Sequence, residues 1–263
     1  MPHKDKYEAQ LALIKGENVN VGTKSELKDF FILLVGSIAV IIFFLSSFDF
    51  LSAIIIDKMS PKTQTKIESL FRINAQSEIP AKYVKKVIKL EKIKDKIVKN
   101  DKKIQGRSNF PINVVLDRDI NAMIKTDGSL YLTSSFLNLD LNEEEIAFVL
   151  AHELGHYAHK DHLKSISKQT AFILFCLVTG LDGNVGSIAQ GVSEIEMLSH
   201  SRRQEMNADL YANKMLIKIY GNNNGAISFI KKLEEKESDP TFLKYFSTHP
   251  TWKERLELAK NKV

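Results

Sequence analysis

The residues with the most chemistry to offer are His152, Glu153 and His156, in the run His152-Glu153-Leu154-Gly155-His156. Positions four apart stack on one face of a helix, so both imidazoles can reach a single ion. Glu153, rotated by about 100° from His152, can touch a water on that ion without binding it. Neutral imidazoles suit zinc, and a carboxylate beside an activated water can act as the base in amide hydrolysis. The setting agrees with that chemistry. Asn142 is a helix cap and Glu143, Glu144 and Glu145 fill the first turn, where carboxylates suit the helix dipole. Residues 146–151, all apolar, then cover every face of the helix, so the polar triplet enters a buried interior. Gly155 costs about 1 kcal/mol relative to alanine inside a helix, which points to a close approach by another element.

Zinc in a hydrolase takes a third protein ligand and leaves one position for water. Two residues compete for that place. His162 stands where the third histidine of HExxHxxGxxH proteases would be, but that arrangement needs glycine at 159 and this chain has His159. The other is in Ser201-Arg202-Arg203-Gln204-Glu205-Met206-Asn207-Ala208-Asp209, where Glu205 and Asp209 lie four apart on a helical pattern. One of that pair would bind metal and the other support the site, and this second arrangement is the favoured one.

The elements that must position these groups are mostly helical. Ser60-Pro61 reads as a helix start, and Pro80 as the start of a lysine-rich amphipathic helix carrying Val84, Val87, Ile88, Ile93 and Ile97. Residues 101–110 read as a polar loop. Short strands are expected at 112–116, 121–125 and 129–133, the last two joined at Asp127-Gly128, a hairpin turn signal. From Asn142 onward the pattern is helical almost to the end. The run 170–181, which holds the lone Cys176, is too short to cross a bilayer and reads as a core helix with a buried thiol.

Residues 30–48 contain no charged side chain, and nineteen residues at helical rise span about 28 Å, the thickness of a bilayer core. The mixed-charge leader of 28 residues before Asp29 is unlike a signal peptide, so an uncleaved anchor is expected. Charge is distributed unevenly around it. Residues 1–29 are neutral in sum, residues 57–107 carry a net +9, and residues 108–263 a net −3. A basic stretch just after an anchor fits anionic lipid headgroups. Nucleic acid is not expected as a partner, because Phe71 and Tyr83 are the only aromatics there for base stacking. Lysines 15, 24 and 28 balance 58, 62 and 66, so the positive-inside rule assigns no orientation.

Four motifs in order resemble the HtpX-like and CAAX-prenyl-protease family of membrane zinc metallopeptidases, a glutamate-zincin group. They are Asn121-Ala122 with the strand at 129–133, HELGH at 152–156, Ser-Arg-x-x-Glu-x-x-Ala-Asp at 201–209, and His-Pro-x-x-x-x-Arg at 249–255. The resemblance covers roughly residues 117–256. It implies that His152, His156 and Glu205 are the zinc ligands and Glu153 the catalytic base. It also implies that Asp209 fixes the tautomer of a ligand histidine. His249 falls at the family's position near the metal, where it would steady an oxyanion or act as a latch, and Arg255 is expected to be structural. His159, His162 and His200 are expected to be surface or packing residues. Family members embedded in the membrane carry several spans. Here one anchor and a water-exposed site are expected instead, which argues against a prenylated substrate held in the bilayer.

The fold expected is α+β: a mainly helical zincin-type catalytic domain with a small β-hairpin or sheet, preceded by one N-terminal transmembrane helix. The divisions expected are a polar tail at 1–29, the anchor and its exit at 30–56, the basic helical segment at 57–107, and the peptidase domain at 108–263. The activity expected is that of a single-pass zinc endopeptidase of a bacterial inner membrane, with one zinc per chain and polypeptide substrates. A strand at 129–133 edging the cleft would pair with an extended peptide. The alternative is a membrane-tethered zinc-binding chaperone or adaptor that cleaves little.

Overall fold

The computed structural model describes residues 24–71, 78–166, 200–249 and 252–260. The tail before residue 24 and the run 170–181 with Cys176 lie outside the described residues. Contacts divide the chain into two units, 1–50 and 51–263. Helix α1, Lys24–Lys58, is 35 residues long and runs from the first unit into the second. Its side chains at 27–40 are all exposed. Among the described residues no helix is long and apolar enough to cross a membrane. The anchor expected at 30–56 is described only in part, with side chains at 41–42 and 44–50 outside it.

Within the second unit, α2 (Pro61–Leu70) begins as its sequence requires, with the Ser60 hydroxyl accepting from the Thr63 amide at 3.2 Å and Pro61 at the first turn. Pro80 leads into a single 3₁₀ turn, Ala81–Tyr83, before α3 (Val84–Asn100). Val87, Leu90, Ile93 and Ile97 form the buried stripe of α3, and they share one core with the helix that carries His152.

Strands β1 (Ile112–Val115), β2 (Ala122–Ile124) and β3 (Leu130–Thr133) form a sheet in the order β1-β3-β2. β3 runs parallel to β1 and antiparallel to β2. The turn joining β2 to β3 uses Gly128 at φ +83°, a conformation that favours glycine. Asp127 steadies it by accepting from the Ser129 amide at 2.8 Å. Residues 129–133 do not form the edge that strand addition there would need: β3 is hydrogen-bonded on both sides, and among the described residues β1 and β2 are the edge strands. Strand order is a long-range property that alternation of side chains cannot report.

A short α4 (Ser134–Leu137) leads to α5 (Glu143–Ala158). The Asn142 side chain accepts from the Glu145 amide at 2.9 Å and Glu145 reaches back to the Asn142 amide at 2.9 Å, a reciprocal cap. From Ala147 to Ala158 every residue of α5 is buried. It is enclosed by α3, by β2, and by the later helices α7 (Arg202–Tyr220) and α8 (Asn224–Glu235). After α5 the chain reverses into α6 (Asp161–Ser165). A 3₁₀ turn, Pro240–Phe242, α9 (Leu243–Thr248) and α10 (Trp252–Lys260) complete the described chain.

Candidate metal centre

A helix buried on every face must satisfy any polar side chain it carries from neighbouring elements. α5 does so at His152, Glu153 and His156, all at most 3% exposed. The partners come from α7. A reciprocal cap at Ser201 and Gln204 starts that helix, and Glu205 and Asp209 then lie on its buried face. The two helices cross closely at Gly155, where an added Cβ would meet the Ala208 Cα at 3.2 Å. This is the close approach that the glycine announces. His249, directly after α9, adds a third source of side chains, with its amide bonded to the Tyr245 carbonyl at 3.0 Å.

The ligand atoms of His152, His156, Glu205 and His249 all lie within 4.8 Å of one another, and all four residues are buried. The Nε2 atoms of His152 and His156 face each other at 3.2 Å. The Glu205 carboxylate stands 3.4 Å from the first and 3.2 Å from the second. His249 Nδ1 is 2.9 Å from Glu205 Oε2. Glu153 is on the rim: its Oε1 is 3.9 Å from His249 Nε2, and its Oε2 accepts from the Ile124 amide at 3.1 Å.

The outer ring of contacts fixes which nitrogen faces inward. His152 Nδ1 is 2.8 Å from Asp209 Oδ1, and His156 Nδ1 is 3.1 Å from Asp161 Oδ2. A proton on each Nδ1 leaves both Nε2 lone pairs pointing at the centre. Asp209 is itself clamped by buried Arg255, whose Nε and Nη2 donate to its two oxygens at 2.8 Å each. Arg255 also donates to the Tyr245 hydroxyl at 3.1 Å. Arg255 thus orients Asp209, and through it His152.

The electrostatics follow from burial set against this ring. Burial drives the His156 imidazole down, but Asp161 and Glu205 outweigh it and raise it to about 10. His152 rises for the same reason, with Asp209 and Glu205 overcoming burial. Burial would raise Glu205, but His249 and the two ligand histidines hold it far below the carboxylate range. Asp209 is held down against burial by Arg255 and His152. Burial keeps His249 below its ordinary value.

The donor set fits a metal. Two imidazole lone pairs and a carboxylate converge with only a shared proton to reconcile them, and the buried Glu205 Oε1 has no hydrogen-bond partner. Acceptors that outnumber donors in a dry site are what a cation satisfies. Nitrogen and carboxylate ligands in threes suit zinc.

Each residue expected at the site has a definite place. His152, Glu153, His156, Glu205 and His249 meet at the centre, and Asp209 and Arg255 stand behind it. His162 does not join them: it is buried elsewhere, with Nε2 3.0 Å from Glu68 Oε1 and its ring stacked on Tyr157. His159 packs edge-on against Tyr211. His200, expected to be bland, stacks on His156 at 3.9 Å, where burial and that neighbour push it down to about 3. Asp161 and the Ile124 amide were not anticipated. A carboxylate five residues beyond His156 is a signal only if the chain is known to reverse at Lys160, which sits at φ +59°.

Comparison with known proteins agrees with this centre. The chain is 25% identical over 164 residues to the metalloprotease YcaL of Escherichia coli (strain K12), covering 58% of this chain and 63% of that protein. It is 24% identical over 159 residues to the mitochondrial metalloendopeptidase OMA1 of Schizosaccharomyces pombe (strain 972 / ATCC 24843), covering 58% of this chain and 47% of that protein. The chain therefore spans about half to under two thirds of the length of these relatives. The profile of peptidase family M48 matches residues 85–263, a stretch that begins in α3 and includes the whole cluster, and so the chain belongs to the M48 family of metallopeptidases.

Proposed function

We propose that this protein is a zinc-dependent endopeptidase acting on polypeptides, of the HtpX-like kind, tethered to a membrane by the run at 30–48. The observation that carries the catalytic reading is the buried convergence of His152, His156 and Glu205 with Glu153 on the rim. These three residues would hold the ion. Zinc, when bound, supplies Lewis acidity, making water acidic enough to attack near neutral pH and polarising the scissile carbonyl.

The chain's own groups divide the remaining work. Glu153 Oε2 is anchored by the Ile124 amide, which leaves Oε1 to take the proton of the attacking water and pass it to the leaving amine. Asp209 and Asp161 keep the Nδ1 protons in place, so the ligand lone pairs stay inward. His249 donates through Nδ1 to Glu205 Oε2 at 2.9 Å, so its Nε2, 3.9 Å from Glu153 Oε1, would donate to charge developing on a substrate only once the ring takes up a second proton. β2 is an edge strand beside Glu153, but its outward amides at Ala122 and Ile124 already donate to Asn121 Oδ1 and Glu153 Oε2, so an extended peptide would take the role first expected of residues 129–133 there only by displacing them.

The test is Glu153→Gln, which keeps shape but removes the base. Zinc content and fold should persist, while casein or peptide cleavage falls by more than the 10²–10⁴-fold typical of one acid–base group, because Glu153 serves in two proton transfers. Cleavage within tenfold of wild type, with zinc confirmed, would sink the mechanism and favour another base.

The tether rests on the uncharged run and on the exposure of the described side chains at 27–40. Full-length protein should stay in the membrane pellet through an alkaline wash with its N-terminus intact. A mature chain that begins after residue 48 would make the run a signal peptide.

A further inference from the structure

Behind the metal centre, at the far end of α5, is a second buried cluster around Glu68, separate from the four candidate metal ligands. Glu68 of α2 is 3% exposed. Its Oε1 lies 2.6 Å from Gln64 Nε2, 3.0 Å from His162 Nε2 and 3.3 Å from Arg107 Nη2, and its Oε2 accepts from the Tyr157 hydroxyl at 2.5 Å. Tyr157 is sandwiched between the parallel His162 ring and the Arg107 guanidinium, 4.6 Å from its centroid. One carboxylate thus grips the residue just after His156 and the residue just after Asp161.

Two further contacts pull on the same stretch. Lys160 adopts the left-handed region at φ +59°, which costs a non-glycine residue about 1 kcal/mol or more. Its Nζ donates to the carbonyls of Ile56, Asp57 and Met59 at 2.9, 3.0 and 3.1 Å. Lys164 pairs with Asp57 at 2.8 Å, and Ile56, Ile67 and Phe71 pack with Leu163 and Ile166. α6 is a five-residue helix and cannot hold its own shape. What holds it is residues 56–71. What it carries is Asp161, whose Oδ2 is 3.1 Å from His156 Nδ1.

We infer that residues 56–71 form a clasp, centred on Glu68, that positions Asp161 and through it the His156 ring, so that metal affinity depends on a segment that supplies no ligand. This rests on the zinc reading of the His152, His156 and Glu205 cluster. Glu68 is a positioning residue: it touches neither metal nor substrate.

The experiment measures zinc affinity of the full-length chain in detergent by competition with a chromogenic chelator, with helix content and Tm followed in parallel. Asp161→Asn should weaken zinc binding by 10–100-fold, the usual effect of losing a partner of a ligand histidine. Glu68→Gln should weaken it by about tenfold. The double variant should bind about as weakly as Asp161→Asn alone, because the two act through one route. A purely structural Glu68 would lower Tm and leave affinity within twofold of wild type, which would overturn the clasp, as would additive losses in the double variant. If Glu68→Gln fails to fold, Tyr157→Phe removes one bond to the carboxylate without changing charge. It should then weaken zinc binding by about threefold, and unchanged affinity would overturn the proposal. Glu205→Ala separates the two readings: if it binds zinc as wild type does, the metal assignment itself is wrong and the clasp falls with it.

Discussion

Two buried carboxylates, Glu205 and Glu68, each sit among histidines beside the same helix, yet they face opposite chemistry. Around Glu68 donors are in surplus: an amide, a guanidinium, a phenol and an imidazole share its two oxygens, and Arg107 Nε and His162 Nδ1 are left without a partner. Around Glu205 stand three imidazoles, each able to give a proton or offer a lone pair, and Oε1 is left without a hydrogen-bond partner. A carboxylate whose oxygens are already taken by surplus donors has no use for a cation and serves packing. A set with surplus acceptors in a dry interior is costly unless a cation enters it. Histidine and glutamate side by side are therefore not a metal site by composition; the donor balance distinguishes the two clusters.

The widest separation between them should appear on removing one member of each. Glu205→Ala takes a charged ligand from the cluster that lacks donors, and stoichiometric zinc should be lost, with affinity down by a factor of about 10³ or more. His162→Ala takes a donor from the donor-rich cluster, and one zinc per chain should remain. Metal analysis of the two purified variants checks both. Zinc retained by Glu205→Ala and lost by His162→Ala would invert the assignment and restore the histidine as third ligand.

The contrast also shows what a single sequence can carry. The metal side was legible because its spacing is local: His152 and His156 share a helix face, Glu205 and Asp209 share another, and the cap at Asn142 marks where the first of these helices begins. The hairpin at Gly128 was legible for the same reason. The Glu68 cluster was not, since its bonds to Tyr157 and His162 join residues 89 and 94 apart. Part of the charge in the segment 57–107 also has partners within the fold. Read as a surface for lipid headgroups, it includes Arg107, which serves Glu68, and Lys86, whose Nζ donates to the Leu137 carbonyl at 2.6 Å. Lys94 is buried and donates to the Asn109 carbonyl at 3.1 Å. Amphipathic periodicity predicts which side of α3 is buried but not which lysines are recruited inward.

A smaller effect follows from protons at the metal cluster. Asp161 and Glu205 overcome burial and hold His156 up at about 10. A folded value above the ordinary 6.5 means that the protonated cluster stabilises the metal-free chain fully below about pH 6.5. That stabilisation is lost as pH rises through about 10. Zinc must displace the same proton, so its apparent affinity should rise about tenfold per pH unit between pH 6.5 and 8. The Tm increment on adding zinc should grow over the same interval. An increment that is flat or shrinks with pH would mean that the imidazoles are already neutral and that the shared proton is not there to displace.

The seam between the clusters offers the finest test. Gly155 lies on α5 between His152 and Tyr157, and an added Cβ would meet Tyr211 Cδ1 at 3.0 Å, the Ala208 Cα at 3.2 Å and the Ala208 carbonyl oxygen at 3.3 Å. The tyrosine ring can swing by a few tenths of an ångström, but the helix backbone at Ala208 yields only if α7 moves. Ala208 is three residues, less than one turn, from Glu205, so a shift of α7 displaces the carboxylate from the two Nε2 atoms. Gly155→Ala gains about 1 kcal/mol of helix propensity and loses about 1–3 kcal/mol to overpacking, so Tm should change by only a few degrees. Zinc affinity should fall by about threefold, since ligand geometry suffers more than the core does. The hydrogen bonds described for the Glu68 cluster join α2, α5, α6 and Arg107, so they should survive, and the amide protection of residues 157–163 in hydrogen exchange should match wild type. If zinc affinity stays unchanged while Tm falls by ten degrees or more, the glycine serves only packing and the crossing does not set the metal geometry.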